Sequence, residues 1–347
     1  MNRLIVVCVN FCVIFLGFNV LIACKPAEKG LEVEQVAANL DELDIFISKV
    51  KGDLVFVEGG KFWMGDFGER FGSEGIPFDA NSDSKPLHEV ELSGFFIQKY
   101  KVDNESFELY LRYNGLALRA DVGNLRFWND FHRLPITPAH VDWYEAEKYC
   151  GWLAAITELP FSLPTEAQWE YAARSRGKFF MVATDDGTYR FARERNKNGE
   201  VRVRGLNISS LDDREAFSLS MGLKTKGISP LPVNYYPPNP LGLYSMSDNG
   251  YEWVKDWYDP TYYRQSVYLD PQGPKAPVYK DKKTNNEYAK VLRGNGYAQP
   301  LWGGGVNVQR KYSSPNAMAH SGMLGEAKLY LLDKTVRCAV NSPDRNE

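Results

Sequence analysis

The stretch LYSMSDNGYEWVKDWYD, residues 243–259, packs aromatics, acids and small turn residues so densely that neither a helical nor a strand period runs through it. Its apolar positions suit a core. Its clustered oxygens on Ser245, Asp248, Asn249 and Glu252 suit a hard cation, because calcium is held by carboxylates and carbonyls gathered in a turn. An acidic turn of this kind is equally an ordinary solvated turn, so the segment alone leaves both readings open.

Working outward, LPTEAQWEYAARS (163–175) sets Thr165 and Gln168 at capping-box spacing and turns Trp169, Ala172 and Ala173 inward along a helix. VDWYEAEKYCGWLAAIT (141–157) puts Trp143, Ala146, Cys150 and Leu153 on one helical face, with Asp142 as cap. HEVELSGFFIQKYKVDNESFELYLRY (88–113) alternates as strand and becomes helical after Asp103, where Asp103 or Asn104 can cap the first amides. LVFVEGGKFWMGD (54–66) reads as strand, a turn at Gly59 and Gly60, and strand. Further on, KVLRGNGY (290–297) and KTVRCAV (334–340) are short strands among Gly, Pro and Asn loops. Before all of these, Val36, Leu40, Leu43 and Ile47 recur at helical spacing and predict an amphipathic helix lying on its own domain. The pattern implies few regular elements and many long ordered loops.

The chain has 347 residues and no long Pro/Ser/Gly linker, which predicts one large domain behind an N-terminal extension. With 41 basic and 44 acidic residues it carries a formal charge of −3, giving no electrostatic reason to expect nucleic acid as a partner. The basic run Arg190 to Arg204 is broken by Glu194 and Glu200 and reads as a solvated loop. The N-terminus, MNRLIVVCVNFCVIFLGFNVLIACKPAEKG, places Arg3 before an apolar run that ends in Leu21-Ile22-Ala23-Cys24, similar to a bacterial lipobox. Cleavage before Cys24 and its lipidation would make residues 1–23 a signal peptide, 24–51 a tether and helix, and 52–347 the folded domain. The protein is then expected in the periplasm, held at a membrane by lipid, with Lys25 after the cysteine favouring the outer membrane by analogy with enterobacterial lipoproteins. Of five cysteines, Cys8 and Cys12 leave with the signal and Cys24 carries lipid. Cys150 and Cys338 remain, and two thiols in an oxidising compartment invite one bridge.

Seven ordered blocks then add up to a resemblance: GGKFWMGD, HEVELSGFFIQKYKVDNESF, PITPAHVDWYEAEKYCGWL, LPTEAQWEYAAR, PVNYYPPNPLGLYSMSDNGYEWVKDWYD, VLRGNGY and VRCAV. From about Leu54 to Val340 they resemble the signature blocks of the formylglycine-generating enzyme, or sulfatase-modifying factor, family. The resemblance implies an α+β fold related to C-type lectins, poor in regular structure, its loops held by aromatic packing and calcium. It answers the opening question with a structural calcium ion whose ligands fall on Ser245, Asp248, Gly250 and Glu252, although Ser245 replaces an Asn and Asp248 replaces a Gly. A second calcium site would begin at Asn207 and Ile208. The family's bridge falls on Cys150 and Cys338, the pair that counting leaves.

The resemblance fails at catalysis. The oxidising enzymes of the family bind copper through two thiolates just after the block that corresponds to VLRGNGY, and soft thiolates suit that metal. Here the run is RGNGYAQPLWGGGVNVQR: Arg293, Gly294 and Gly296 keep the turn, while Ala298, Gln299 and Gly303 to Gly305 stand where thiols would be. The iron-dependent sulfoxide-synthase relatives use a histidine cluster, but this chain has only His88, His132, His140 and His320, with His88 and His140 expected as structural residues. There is also no Gly-x-Ser-x-Gly elbow, P-loop or zinc-type His pair. The expectation is therefore a pseudoenzyme: a lipid-anchored domain that binds a protein partner. By family analogy, that partner is a lipase effector of type VI secretion, which the lipoprotein would neutralise as an immunity protein. The alternative is a periplasmic oxidoreductase of the family working without the thiol pair. Candidate contact loops are Phe67 to Ser84, Asp186 to Arg204 and Trp302 to Tyr312.

Overall fold

Local sequence signals fix the helices. Asp103 caps α3 (Asn104–Tyr113), accepting from the Ser106 amide at 2.9 Å. Asp142 and Glu145 close a capping box on α5 (Trp143–Thr157), and Thr165 and Gln168 do the same on α6 (Glu166–Ala173). Trp143, Ala146, Cys150 and Leu153 are all buried along α5, as their spacing predicts. The helix α6 is buried on every side. It packs against β2 (Gly60–Met64), β3 (His88–Leu92), β8 (Tyr251–Trp257) and β11 (Lys290–Arg293), with Trp169 fully enclosed. The computed structural model describes residues 41–119, 127–195, 197–281, 287–297, 306–316 and 333–341.

The chain divides into two units, Met1–Phe46 and Ile47–Glu347. In the first, residues 41–46 are described and are helical; Val36 and Leu40 of the expected amphipathic helix, and Cys24, lie outside the described residues. The second opens on helical residues 47–52 (α1), where Val50 is buried and Ile47 half-buried. Two four-stranded sheets frame its core. In one, β1 (Leu54–Val57), β4 (Phe95–Gln98), β14 (Ala339–Asn341) and β5 (Phe161–Ser162) lie side by side, all antiparallel. In the other, β12 (Lys311–Ser313), β11, β8 and β13 (Lys334–Thr335) follow in order, with β13 parallel to β8. Thus the terminal segment supplies β13 to one sheet and β14 to the other. The opening stretch resolves into a turn over 244–250 followed by β8, which is why no single period fits it.

The strand, turn and strand read over 54–66 are present, and the two strands take different partners: β1 joins β4, whereas β2 pairs with β3. Gly59 is where the chain crosses, and a Cβ there would lie 2.4 Å from the Leu92 carbonyl oxygen. The basic run, expected as a loop, is an exposed antiparallel hairpin of β6 (Phe191–Arg195) and β7 (Val201–Gly205). Its acids explain the change, because Glu194 stands opposite Arg202 and reaches Arg204 at 3.6 Å, so unlike charges face each other across the strands.

Candidate functional site

Glu252 sits on β8 with its carboxylate completely buried. Its Oε1 accepts from Lys101 Nζ at 2.6 Å and Arg337 Nη2 at 2.8 Å, and its Oε2 from Arg337 Nε at 2.7 Å and Trp169 Nε1 at 2.8 Å. Burial alone would raise this carboxyl, but Arg337 and Lys101 beside it hold it below the usual carboxylate range. The Gly250 carbonyl also accepts from Lys101 Nζ, at 2.8 Å. Of the four residues read as calcium ligands, these two meet, and the cation between them is an ammonium.

The other two turn elsewhere. Asp248 Oδ1 accepts from Arg214 of α7 (Leu211–Ser220), and its Oδ2 accepts from the Ser209 amide at 3.1 Å. Ser245 donates through Oγ to the Val233 carbonyl at 3.3 Å. Asn207 accepts from the Arg190 amide at 2.9 Å and donates its side-chain N–H to Asp185 Oδ1 at 2.9 Å. Asn207, Ile208, Ser245 and Asp248 do border one void of about 10 Å³, which has room for no more than one water molecule. Its one carboxylate is already neutralised by Arg214. These residues therefore do not fit a divalent cation as a cage: each carboxylate is paired with a basic side chain, the Gly250 carbonyl faces Lys101 Nζ, and the side-chain oxygens of Ser245 and Asn207 have other partners. Sequence reading missed Lys101, Arg214 and Arg337 because a basic side chain is read as surface, and no spacing marks one as buried.

Arg293, the last residue of β11, belongs to a second charged centre. Glu166, at the start of α6, accepts from Arg293 Nη1 and Arg310 Nε at 2.7 Å each and from Arg310 Nη2 at 2.9 Å. Glu170, one turn on, takes Arg293 Nη2 and Arg174 Nη1 at 2.8 Å each. Gly294 then needs its positive φ of 86°, since a Cβ there would lie 2.5 Å from the Met246 carbonyl oxygen. Ala298, Gln299 and Gly303 to Gly305 lie outside the described residues.

Over β11 and β12 opens a cleft of about 560 Å³, walled by Tyr258, Tyr279 and Tyr312 with Asp83, Leu292 and Arg310 among its lining. Tyr258 and Tyr312 stack at 4.3 Å between centroids, and Tyr258 donates to Asp83 Oδ2 at 2.6 Å. Burial, then the bond to Asp83, push the Tyr258 phenol up, so it stays protonated. The described lining contains neither thiol nor histidine. Its walls offer aromatic surface and hydrogen bonds, with Ser82, Ser313, Lys311 and Lys334 also on the lining. Among the described residues no group of three or more His, Cys, Asp or Glu side chains is placed to hold a metal ion. His140 is buried against the Tyr297 hydroxyl and burial holds its imidazole neutral, while His88 packs on Tyr263; His320 lies outside the described residues.

Cys150 of α5 and Cys338, between β13 and β14, form a disulfide that joins positions 188 residues apart. Residues 47–323 match the sulfatase-modifying factor enzyme 1-like domain. The chain is 29% identical over 286 residues to the formylglycine-generating enzyme of Streptomyces coelicolor, covering 70% of this chain and 78% of that protein. It is 30% identical over 243 residues to serine/threonine-protein kinase pkn1 of Chlamydia caviae, covering 66% of this chain; it spans 32% of the length of that relative. Among solved structures, PvdO from Pseudomonas aeruginosa shares the fold, with a TM-score of 0.53 and 22% identity over 83% of this chain and 94% of that one. The chain belongs to the family of the sulfatase-modifying factor enzyme 1-like domain, the formylglycine-generating enzyme family.

Proposed function

We propose that the protein is a non-catalytic member of its family: a lipoprotein anchored through Cys24, facing the periplasm, most simply from the outer membrane, that binds a protein partner. The single observation that supports the loss of catalysis is the cysteine balance. The folded domain holds two cysteines, and both are consumed by the Cys150–Cys338 bridge, which leaves no thiolate to bind copper or attack a substrate. The partner is a secreted lipase effector, with this chain as its immunity protein. Such a role asks for a rigid, tethered scaffold with presented loops and no chemistry. The segment from Phe67 to Ser84 suits it, since Phe71 and Ile76 stand exposed on an otherwise anchored loop. The charged hairpin β6–β7 is a second such surface.

The test uses the full-length lipidated protein in detergent. Stoichiometric inhibition of a lipase effector, without turnover of a cysteine-containing peptide in the presence of copper and oxygen, is the expected result. Oxidation of that peptide would overturn the reading and favour the alternative, a periplasmic oxidoreductase of the same family.

A further inference from the structure

The turn from Ser245 to Glu252 needs a positive charge to close it, because it directs the Gly250 carbonyl and the Glu252 carboxylate into one fully enclosed space. The charge that reaches that space comes from the chain. Lys101 Nζ lies 2.8 Å from Gly250 O, 2.6 Å from Glu252 Oε1 and 3.4 Å from Thr335 Oγ1, so each of its three N–H groups has an oxygen. Its side chain is fully buried. The backbone beside it is pinned on both sides, by Val102 N to Val336 O at 2.8 Å and Ala139 N to Val102 O at 2.9 Å, so the ammonium is delivered by a fixed stretch of chain. Arg337 brings a second positive charge to the same carboxylate.

We propose that Lys101 is the resident cation of this turn, holding by a covalently attached ammonium the place that a divalent ion would otherwise take, so that the domain needs no metal there. A divalent ion entering beside Lys101 and Arg337 would meet two positive charges and one carboxylate, a balance that repels it. The arrangement also ties three distant parts of the chain, since the partners of Lys101 lie 149, 151 and 234 residues away.

The experiment is a thermal melt of the full-length protein with chelator and with added calcium, beside a metal analysis, followed by melts of Lys101→Ala and Lys101→Met. The wild type should melt at one temperature under both conditions. Lys101→Ala should melt about 10 °C lower, because one partner of a buried ion pair is gone. Propylammonium chloride, which replaces the atoms removed, should recover part of that loss in Lys101→Ala and none in the wild type, with sodium chloride at equal ionic strength as control. Lys101→Met keeps the volume without the charge and should also melt low. A wild-type melt that falls on chelation and returns with stoichiometric calcium would overturn the proposal, and it needs no variant to fold. So would Lys101→Met melting with the wild type.

Discussion

Asp256→Asn should stabilise the protein more at pH 8 than at pH 5. Asp256, 3% exposed on β8, accepts from the Glu166 amide at the start of α6 at 2.8 Å. Burial first, and the Glu166 carboxylate second, push its carboxyl from 3.8 up to about 7, against the pull of Arg310 and Lys290. A carboxyl raised on folding binds its proton more tightly in the native state. Its contribution is therefore complete below the unfolded value and is lost as pH rises through about 7. At about 1.4 kcal/mol per pH unit the whole effect is about 4 kcal/mol, of which roughly 2–3 kcal/mol falls between pH 5 and pH 8. Asparagine keeps an acceptor for the Glu166 amide and carries no charge. The histidines work in the opposite direction: burial lowers His132 to about 4, so stability is lost as pH falls from 6.5 toward that value. Over the same interval this amounts to about 2 kcal/mol, enough to flatten the wild-type profile. Subtracting wild type from variant at each pH removes the histidine contribution. Urea unfolding followed by tryptophan fluorescence at pH 5 and pH 8 gives the two differences. The same difference at both values would refute the account of Asp256.

The other perturbations are simpler. Glu166→Gln leaves the fully buried Arg310 without a carboxylate and should cost about 3–5 kcal/mol, read as a lower urea midpoint. Replacing Cys150 and Cys338 together by Ala should cost roughly 3–5 kcal/mol on the chain-entropy account of a long loop; an unchanged midpoint would argue against it. Cys24→Ser should yield an unprocessed or soluble form while the native protein partitions into detergent, and equal partitioning of the two would remove the lipid anchor.

What could be read from the sequence was whatever depends on neighbours a few residues apart. The cap at Asp142, the capping box at Thr165 and the inward face of α5 follow from spacing alone, and the structure has them as spaced, with Glu145 completing a box on Asp142. Long-range placement was legible where ordered blocks resemble a family, which brought Cys150 and Cys338 together. Strand partners were not legible: β1 and β2 are separated by Glu58 and Gly59 alone, yet the crossing at Gly59 sends them to different sheets. The cation at Glu252 was not legible either. Its oxygens could be named from the segment, but the group that neutralises them lies some 150 residues away, in a run with no feature to distinguish a buried lysine from an exposed one.

The buried basic residues have a common cause in the shortage of regular structure. A helix or ladder satisfies its own backbone carbonyls, whereas a buried loop must find donors elsewhere. Among loop carbonyls, Arg337 donates to those of Lys99 and Tyr244, Arg310 to those of Asp83 and Asp259, and Arg174 to those of Lys178 and Gly177; Arg337 and Arg174 also reach Gln98 at the end of β4 and Trp63 on β2. A guanidinium has five donors in a fixed fork, so one side chain can satisfy several loops and still bind a carboxylate. Each such charge then has to be balanced in the interior, which accounts for Glu166, Glu170 and Glu252 being buried at the centre of the domain. The acids quoted in the opening stretch are thus set by the same demand: Glu252 is there for Arg337 and Lys101, and Asp248 for Arg214. In this chain the carboxylates that a family likeness assigns to an ion balance the cations by which the loops are joined.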